Sequence, residues 1–251
     1  MCIRDSDYAV LDRFKTYLFD QGLASSSIKL HFVSVKKILD YAQRHNYIKA
    51  SPLLPKVKNE DNPRSYFPLS EYRRLRRQAW KLIGARSEVK QQTETDTGVS
   101  IKKLRNIDIT EEIGLLIRFM VYTFIRPTDV KNMKHRHIEI RHNGEREYLW
   151  MPIPPSKDHD KPITSMPQAA LVYRKLRELR LAQLGDPNAD IADEYVFQPD
   201  QMNRKYAYRK LTRQFGVILH EAGLKQTADN ESRTLYSLRH TSPVSYTHLR
   251  A

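Results

Sequence analysis

The chain has 251 residues, enough for one large domain or for a small one joined to a medium one. A hydrophobic fraction of 40% supports a packed core, and a formal net charge of +14 with a pI near 9.8 points to a polyanionic partner, nucleic acid first. The single Cys excludes a disulfide framework and a multi-cysteine zinc site, the nine His show no zinc spacing, and no apolar run has the length of a membrane span. We therefore expect a cytoplasmic protein; no sequence feature calls for a cofactor, and no spacing suggests a paired-carboxylate metal nuclease, although the sequence does not exclude one.

The two ends are related to each other. Met1 to Asp5 (MCIRD), written as ATG TGT ATA AGA GAC, has a reverse complement that translates as VSYTH, the residues Val244 to His248. The string matches a transposon end used as a sequencing-library adapter. Residues 1–6 and 244–251 are accordingly read as translated adapter, with Cys2 not native. Dropping Arg4, Asp5 and Arg250 lowers the net charge only from +14 to +13, so the charge argument stands.

From Asp7 to Gln21, Val10, Leu11, Phe14 and Leu18 recur with helical period, and Gly22 is a stop. Ser25 to Ser27 offer N-caps for a second helix with Ile28, Phe32, Val35, Leu39 and Ala42 on one face. Lys29, Lys36, Lys37 and Arg44 lie on the other, as phosphate contacts or simply as a solvated face. Residues 7–50 read as a partial helical domain. Pro52, Pro55 and Pro63, with polar residues between, mark a linker over 51–65.

A second domain is expected over 66–243. Ser70 is a candidate N-cap for a helix to about Ile83, with Leu75, Ala79 and Leu82 inward and Arg73, Arg74, Arg76 and Arg77 outward. Those arginines suit the DNA backbone or solvent equally well. Residues 86–106 lack periodicity and read as an exposed insertion. Thr110 opens a buried helix through Ile113, Leu116, Ile117 and Met120. That helix turns through Ile125-Arg126-Pro127 and restarts with Pro127 at its first position, where a missing N–H costs nothing. Arg126 in this join, followed by Asp129, can present a planar fork to a phosphate, or it can be an ordinary capping residue.

Beyond Met133 the period changes. Ile138 to Ile140 and Tyr148 to Ile153 flank the turn His142-Asn143-Gly144-Glu145, and a third strand is expected from Pro162 to Ser165. His135 and His137 read as a polar lead-in to the first strand. Ala169 to Leu184 is a helix with Leu171, Val172, Leu176, Leu179 and Leu184 as core candidates. Arg204 to Ala222 is another, whose Arg204, Lys205, Arg209, Lys210 and Arg213 make it the best candidate for a helix lying along DNA.

Arg126-Pro127-Thr128-Asp129, then Lys157 in Ser156-Lys157-Asp158-His159-Asp160-Lys161, then Tyr236-Ser237-Leu238-Arg239-His240-Thr241 appear in that order. This set resembles the tyrosine recombinases, the phage-integrase family, over about Asp7 to Ser242. The resemblance implies a mainly α fold with a small antiparallel β-sheet: the end of a SAM-like core-binding domain, then a catalytic domain. It implies site-specific recombination of double-stranded DNA by a homotetramer through a phosphotyrosine intermediate, without metal.

In that chemistry Arg126 and Arg239 hold the nonbridging phosphate oxygens, and Lys157, or Lys161 in reserve, protonates the leaving 5′ oxygen. Tyr236 stands where many members have His; it can donate to a phosphate oxygen but is a poor base near neutrality. His240 is a phosphate ligand or a structural hydrogen-bonder, and Asp129 a supporting residue. The nucleophile is expected to be absent: the resemblance implies a tyrosine two helices beyond the second arginine, and the chain ends first, while Tyr246 is rejected because it follows Arg239 by only seven positions and lies in the adapter-like stretch. On this reading the chain by itself binds DNA without cleaving it.

Overall fold

In the computed structural model, which describes residues 7–58, 65–87, 90–95, 98–103, 107–152 and 162–248, the chain divides after Pro63 into two units, each with its own core. The first unit is built on α1 (Tyr8–Asp20) and α2 (Ser25–Arg44). Asp7 starts α1, its Oδ1 accepting from the Val10 N–H at 2.8 Å. Gly22, at φ +72°, turns the chain between the helices. Leu11, Leu18, Ile28, Phe32 and Leu39 form the core, with Phe14 edge-on to Phe32 at 5.8 Å. The start of α2 departs from expectation: Ala24 is the N-cap, and Ser25 is buried in the first turn. The outer face of α2 also exposes Leu30, Val33, Ile38 and Tyr41 beside its lysines.

The second unit is assembled around α4 (Glu111–Thr123). Ile113, Leu115, Leu116, Ile117, Phe119, Met120 and Val121 are all buried, and a helix apolar on every side belongs in the middle of a domain. Three helices, α3 (Leu69–Lys81), α6 (Gln168–Leu184) and α7 (Arg204–Glu221), pack against it. So does α8 (Leu235–His248). A short helix, α5 (Pro127–Asn132), follows α4 and packs on α7. Pro68, not Ser70, caps α3. On α6, Val172 and Leu176 are buried but Leu171 and Leu184 are exposed, the stripe having been drawn too wide.

The stretch expected as an exposed insertion carries strands that its lack of periodicity gave no sign of. Strands β1 (Arg86–Ser87) and β4 (Ile107–Asp108) pair with each other, and β2 (Lys90–Thr95) pairs antiparallel with β3 (Gly98–Lys103), Thr93 opposite Ser100. Threonines and the alternating Val99 and Ile101 suit a pleated strand, while polar partners leave little apolar periodicity to read.

The main sheet has the order β5 (Glu139–Asn143), β6 (Arg146–Met151), β7 (Ile163–Thr164), all antiparallel. Asn143 pairs with Arg146 across a two-residue loop in which Gly144 takes φ +60°. Leu149 and Met151 point into the core. The last strand is fastened to α4: Ser165 donates its N–H to the Leu149 carbonyl at 3.0 Å, and the Met166 N–H reaches the Tyr122 carbonyl at 2.8 Å.

His135 to His137 form a 3-10 turn and not a strand lead-in. His135 is buried, with Nδ1 paired to the Tyr173 hydroxyl at 3.0 Å. Burial, then the nearby Arg177, lowers its pKa to about 4. The unfolded chain, with a His near 6.5, takes up this proton first as the pH falls. Stability contributed above pH 6.5 is therefore lost between 6.5 and about 4, by at most about 3 kcal/mol. We expect His135→Gln to flatten this part of the stability profile. Chemical denaturation at pH 7 and pH 5 tests it; an equal acid loss in the variant assigns the slope to other groups.

Candidate functional site

The helix α4 breaks at a strained joint. Thr123 turns its hydroxyl back onto the Phe119 carbonyl at 2.8 Å, and Phe124 then takes φ +58°. A left-handed conformation in a bulky residue costs about 1–3 kcal/mol, and such strain persists only where its surroundings fix it. Here Ile125 is buried after it, and the Asp129 carboxylate accepts the Arg126 N–H at 3.2 Å while the Asp129 N–H donates to the Arg126 carbonyl at 2.9 Å. Asp129, fully buried, thus fixes the backbone from which the half-buried Arg126 side chain departs.

The second element is α8. Its buried face carries Leu235, Ser237, Leu238 and Thr241, and it lies against α4. Side-chain bonds bolt it to the start of the unit. The Ser65 and Ser237 hydroxyls meet at 2.9 Å, and the Phe67 N–H donates to Thr241 Oγ1 at 3.0 Å. Just before the helix, the buried Arg233 donates to Glu71 Oε2 at 2.5 Å and lies over the Phe67 ring at 4.9 Å.

Opposite that face, Tyr236, Arg239 and His240 share helical spacing i, i+3, i+4 and are each half-buried. The Tyr236 and His240 rings stand 5.0 Å apart. Arg239 Nη1 is buried and, among the described residues, has no hydrogen-bond partner. A desolvated guanidinium N–H without an acceptor is costly, and an anionic ligand is the natural acceptor. Arg126 leaves from the exit of α4, while Arg239, Tyr236 and His240 project from the helix packed on α4. Lys157 and Lys161 lie outside the described residues.

The positions expected on DNA divide. Arg73 and Arg77 on α3, Lys205 and Arg209 on α7, and Lys36 and Lys37 on α2 are exposed; Lys36 pairs with Asp40 at 3.3 Å, and Lys29 is half-buried. Arg204 is a correction. Its guanidinium donates to the carbonyls of Lys131, Gln198, Gln201 and Phe197 at 2.7 to 2.9 Å and stacks over Tyr195 at 3.8 Å. It is a latch tying the start of α7 to the end of α5. The same loop is held from α4, where the buried Glu112 accepts both the backbone and side-chain N–H groups of Gln198, itself at φ +51°. Burial raises the Glu112 pKa against these hydrogen bonds.

Arg204→Ala is expected to lower stability by roughly 2–4 kcal/mol while leaving the salt dependence of DNA binding unchanged. Arg209→Ala should do the reverse, reducing the slope of log K against log salt by about one. Thermal melts and binding titrations at several salt concentrations separate the two, and a reduced slope for Arg204→Ala would return it to the DNA-facing set.

Sequence reading missed Glu112, Arg233 and the charged groove of α3, α4 and α6 described below. No composition signal marks a single arginine in a loop, or cations brought together from three helices. Among the described residues, no group of three or more His, Cys, Asp or Glu is placed to hold a metal ion, and no helix is long and apolar enough to cross a membrane.

Residues 2–59 match a family model described as the phage integrase SAM-like domain. In structure the chain is similar to the XerH site-specific recombinase bound to its difH substrate (TM-score 0.63, 15% identity, 99% of this chain and 61% of that one). It is also similar to a lambda integrase dimer bound to a COC′ core site (0.61, 14%, 98% and 59%) and to the Tn1549 transposon integrase with circular intermediate DNA (0.58, 11%, 99% and 75%). The chain has the tyrosine-recombinase fold. It carries that fold with a SAM-like helical part followed by a mainly helical part with a three-stranded antiparallel sheet, as the resemblance implied. No curated protein matches it. The chain spans about three fifths of the length of the XerH and lambda recombinase chains.

Proposed function

We propose that this chain belongs to a site-specific recombinase that cleaves and rejoins double-stranded DNA, and that it acts as an integrase of a mobile element. The observation that carries the proposal is Arg239, whose buried guanidinium N–H has no partner among the described residues, on a helix packed against the one whose exit presents Arg126. Two arginines at such positions neutralise the charge that grows on the nonbridging oxygens as the phosphate becomes pentacoordinate. Tyr236 and His240 add donors on the same face, and Lys157 or Lys161 is the candidate acid for the leaving oxygen. The XerH, lambda and Tn1549 proteins are solved with DNA, which supports duplex DNA as the substrate here. A homotetrameric synapse follows from the same reading.

The test uses the chain extended to supply the nucleophilic tyrosine that this reading requires, with genomic fragments selected by its own binding as substrate. Two selected sites on one plasmid should be inverted or excised by the wild-type protein. Site binding without any rearrangement, with or without Arg126, would instead support a non-enzymatic DNA-binding protein of this fold.

A further inference from the structure

A second basic feature is lined by residues other than Arg126 and Arg239. Between α3, α4 and α6 runs an open groove of about 770 Å³. Arg73, Arg76, Arg77, Lys81, Arg118 and Lys175 line it, with no carboxylate among the lining residues. Among the described residues, none of these six makes an ion pair. Six like charges in one groove repel one another, an arrangement that an incoming polyanion relieves. Arg118 sharpens the point: its Nε is buried and has no hydrogen-bond acceptor among the described residues.

The groove also holds an aromatic platform. Trp80 is half-exposed, its six-membered ring lying over Gly114, where an added Cβ would stand 3.7 Å from Cε3. Arg73, Arg77, Trp80 and Lys81 fall at helical spacing along α3, so cations flank the indole along one helix face. Gly114 and Arg118 repeat the alignment on α4. Gly114 lies roughly 14 Å back along the axis from the end of α4, well inside the helix that delivers Arg126.

We propose that this groove binds a single strand of nucleic acid, its phosphates on the arginines and lysines and one unpaired base stacked on Trp80. The combination favours a strand over the alternatives. A small free anion leaves the indole and most of the volume unused, whereas a nucleotide unit of a strand fills a space of this size. A duplex offers phosphates but keeps its bases inside the stack, away from Trp80. Basic grooves with an aromatic platform are the physical pattern of single-strand binding, tolerant of sequence because every base has a π-face. Arg73 and Arg77 are shared with the positions expected on duplex DNA, and a recombinase could use the groove to hold a strand that has left its duplex.

The net charge of the chain makes any nucleic acid bind somewhere, so the readout has to be local. Trp80 and Trp150 are the two tryptophans, and Trp150→Phe leaves Trp80 as the single indole reporter. Titrating the full chain in that background with oligothymidylate should give saturable quenching of Trp80 emission. The exposed pair Arg77→Gln with Lys175→Gln should weaken it about tenfold or more. Arg118→Gln should weaken it as well, and Arg239→Ala should leave it unchanged. Oligonucleotide binding seen by anisotropy with no change in Trp80 emission would overturn the proposal. Equal quenching by a duplex or by polyglutamate would overturn it too, marking the groove as a plain polyanion or acidic-protein surface.

Discussion

In a chain extended to supply the nucleophilic tyrosine that the recombinase reading requires, replacing Arg239 with alanine is expected to slow DNA strand cleavage by about 10³-fold or more while weakening duplex binding by less than about tenfold. The asymmetry follows from where the guanidinium stands. Its buried Nη1 has no acceptor among the described residues, so the group is held dry and ready before a phosphate arrives. A pre-placed donor does most where charge accumulates, in the pentacoordinate transition state, and less in the ground state, where many surface cations share the binding. Arg239→Lys should fail almost as completely, because an ammonium cannot offer two parallel N–H groups to two phosphate oxygens. Single-turnover cleavage and equilibrium binding on the same duplex give both quantities. Wild-type cleavage by Arg239→Ala would remove the residue from the site.

The second large effect is on stability. Arg233→Ala should cost about 3 kcal/mol, a fall in Tm of roughly 6–12 °C for a unit of this size. The substitution leaves Glu71 without its partner, takes the guanidinium off the Phe67 ring, and empties space beneath α8. Two other Arg233 nitrogens are buried without acceptors, so the ion pair is itself an expensive way to fill this volume. A Met at 233 with a Leu at 71 should therefore recover most of the loss, as buried pairs replaced by apolar residues often do. If Arg233→Ala melted with the wild type, the clamp holding α8 to residues 65–71 would have to reside in the Ser65–Ser237 and Phe67–Thr241 contacts alone.

How far the sequence could be read depended on whether a residue's role left a periodic trace. Buried α4 and the face of α2 bearing Ile28, Phe32 and Leu39 were legible because apolar residues recur every three or four positions. The join at Arg126 was legible because Pro127 can occupy the first turn of a helix but not its interior, and the β5–β6 hairpin because Gly144 tolerates positive φ. The β2–β3 pair was missed because its strands pair Thr93 with Ser100 and Lys90 with Lys103, and the apolar alternation is confined to Val99 and Ile101, opposite Glu94 and Gln92. Caps at Ala24 and Pro68 were missed because these residues offer no side-chain acceptor, and the neighbouring serines looked better.

Charge alone could not separate Arg204 from Arg209. One turns inward to four carbonyls and the other faces solvent, a difference set by the loop carrying Phe197 and Gln198 and not by α7 itself. Of the candidate site, Arg126, Tyr236, Arg239 and His240 were nameable from their motifs, but the unpartnered donor on Arg239 needed coordinates.

The most direct test of the central claim is to trap the covalent intermediate. The chain, extended to supply the nucleophilic tyrosine that the recombinase reading requires, is incubated with a nicked duplex carrying its selected site, and a denaturant-stable protein–DNA adduct is sought. The expected result is an adduct with the extended protein that disappears in its Arg126→Ala and Arg239→Ala variants, and no adduct with the 251-residue chain alone. Tight site binding by the extended protein with no adduct would contradict the recombinase reading, and an adduct formed by the 251-residue chain and abolished by Tyr246→Phe would contradict the exclusion of Tyr246.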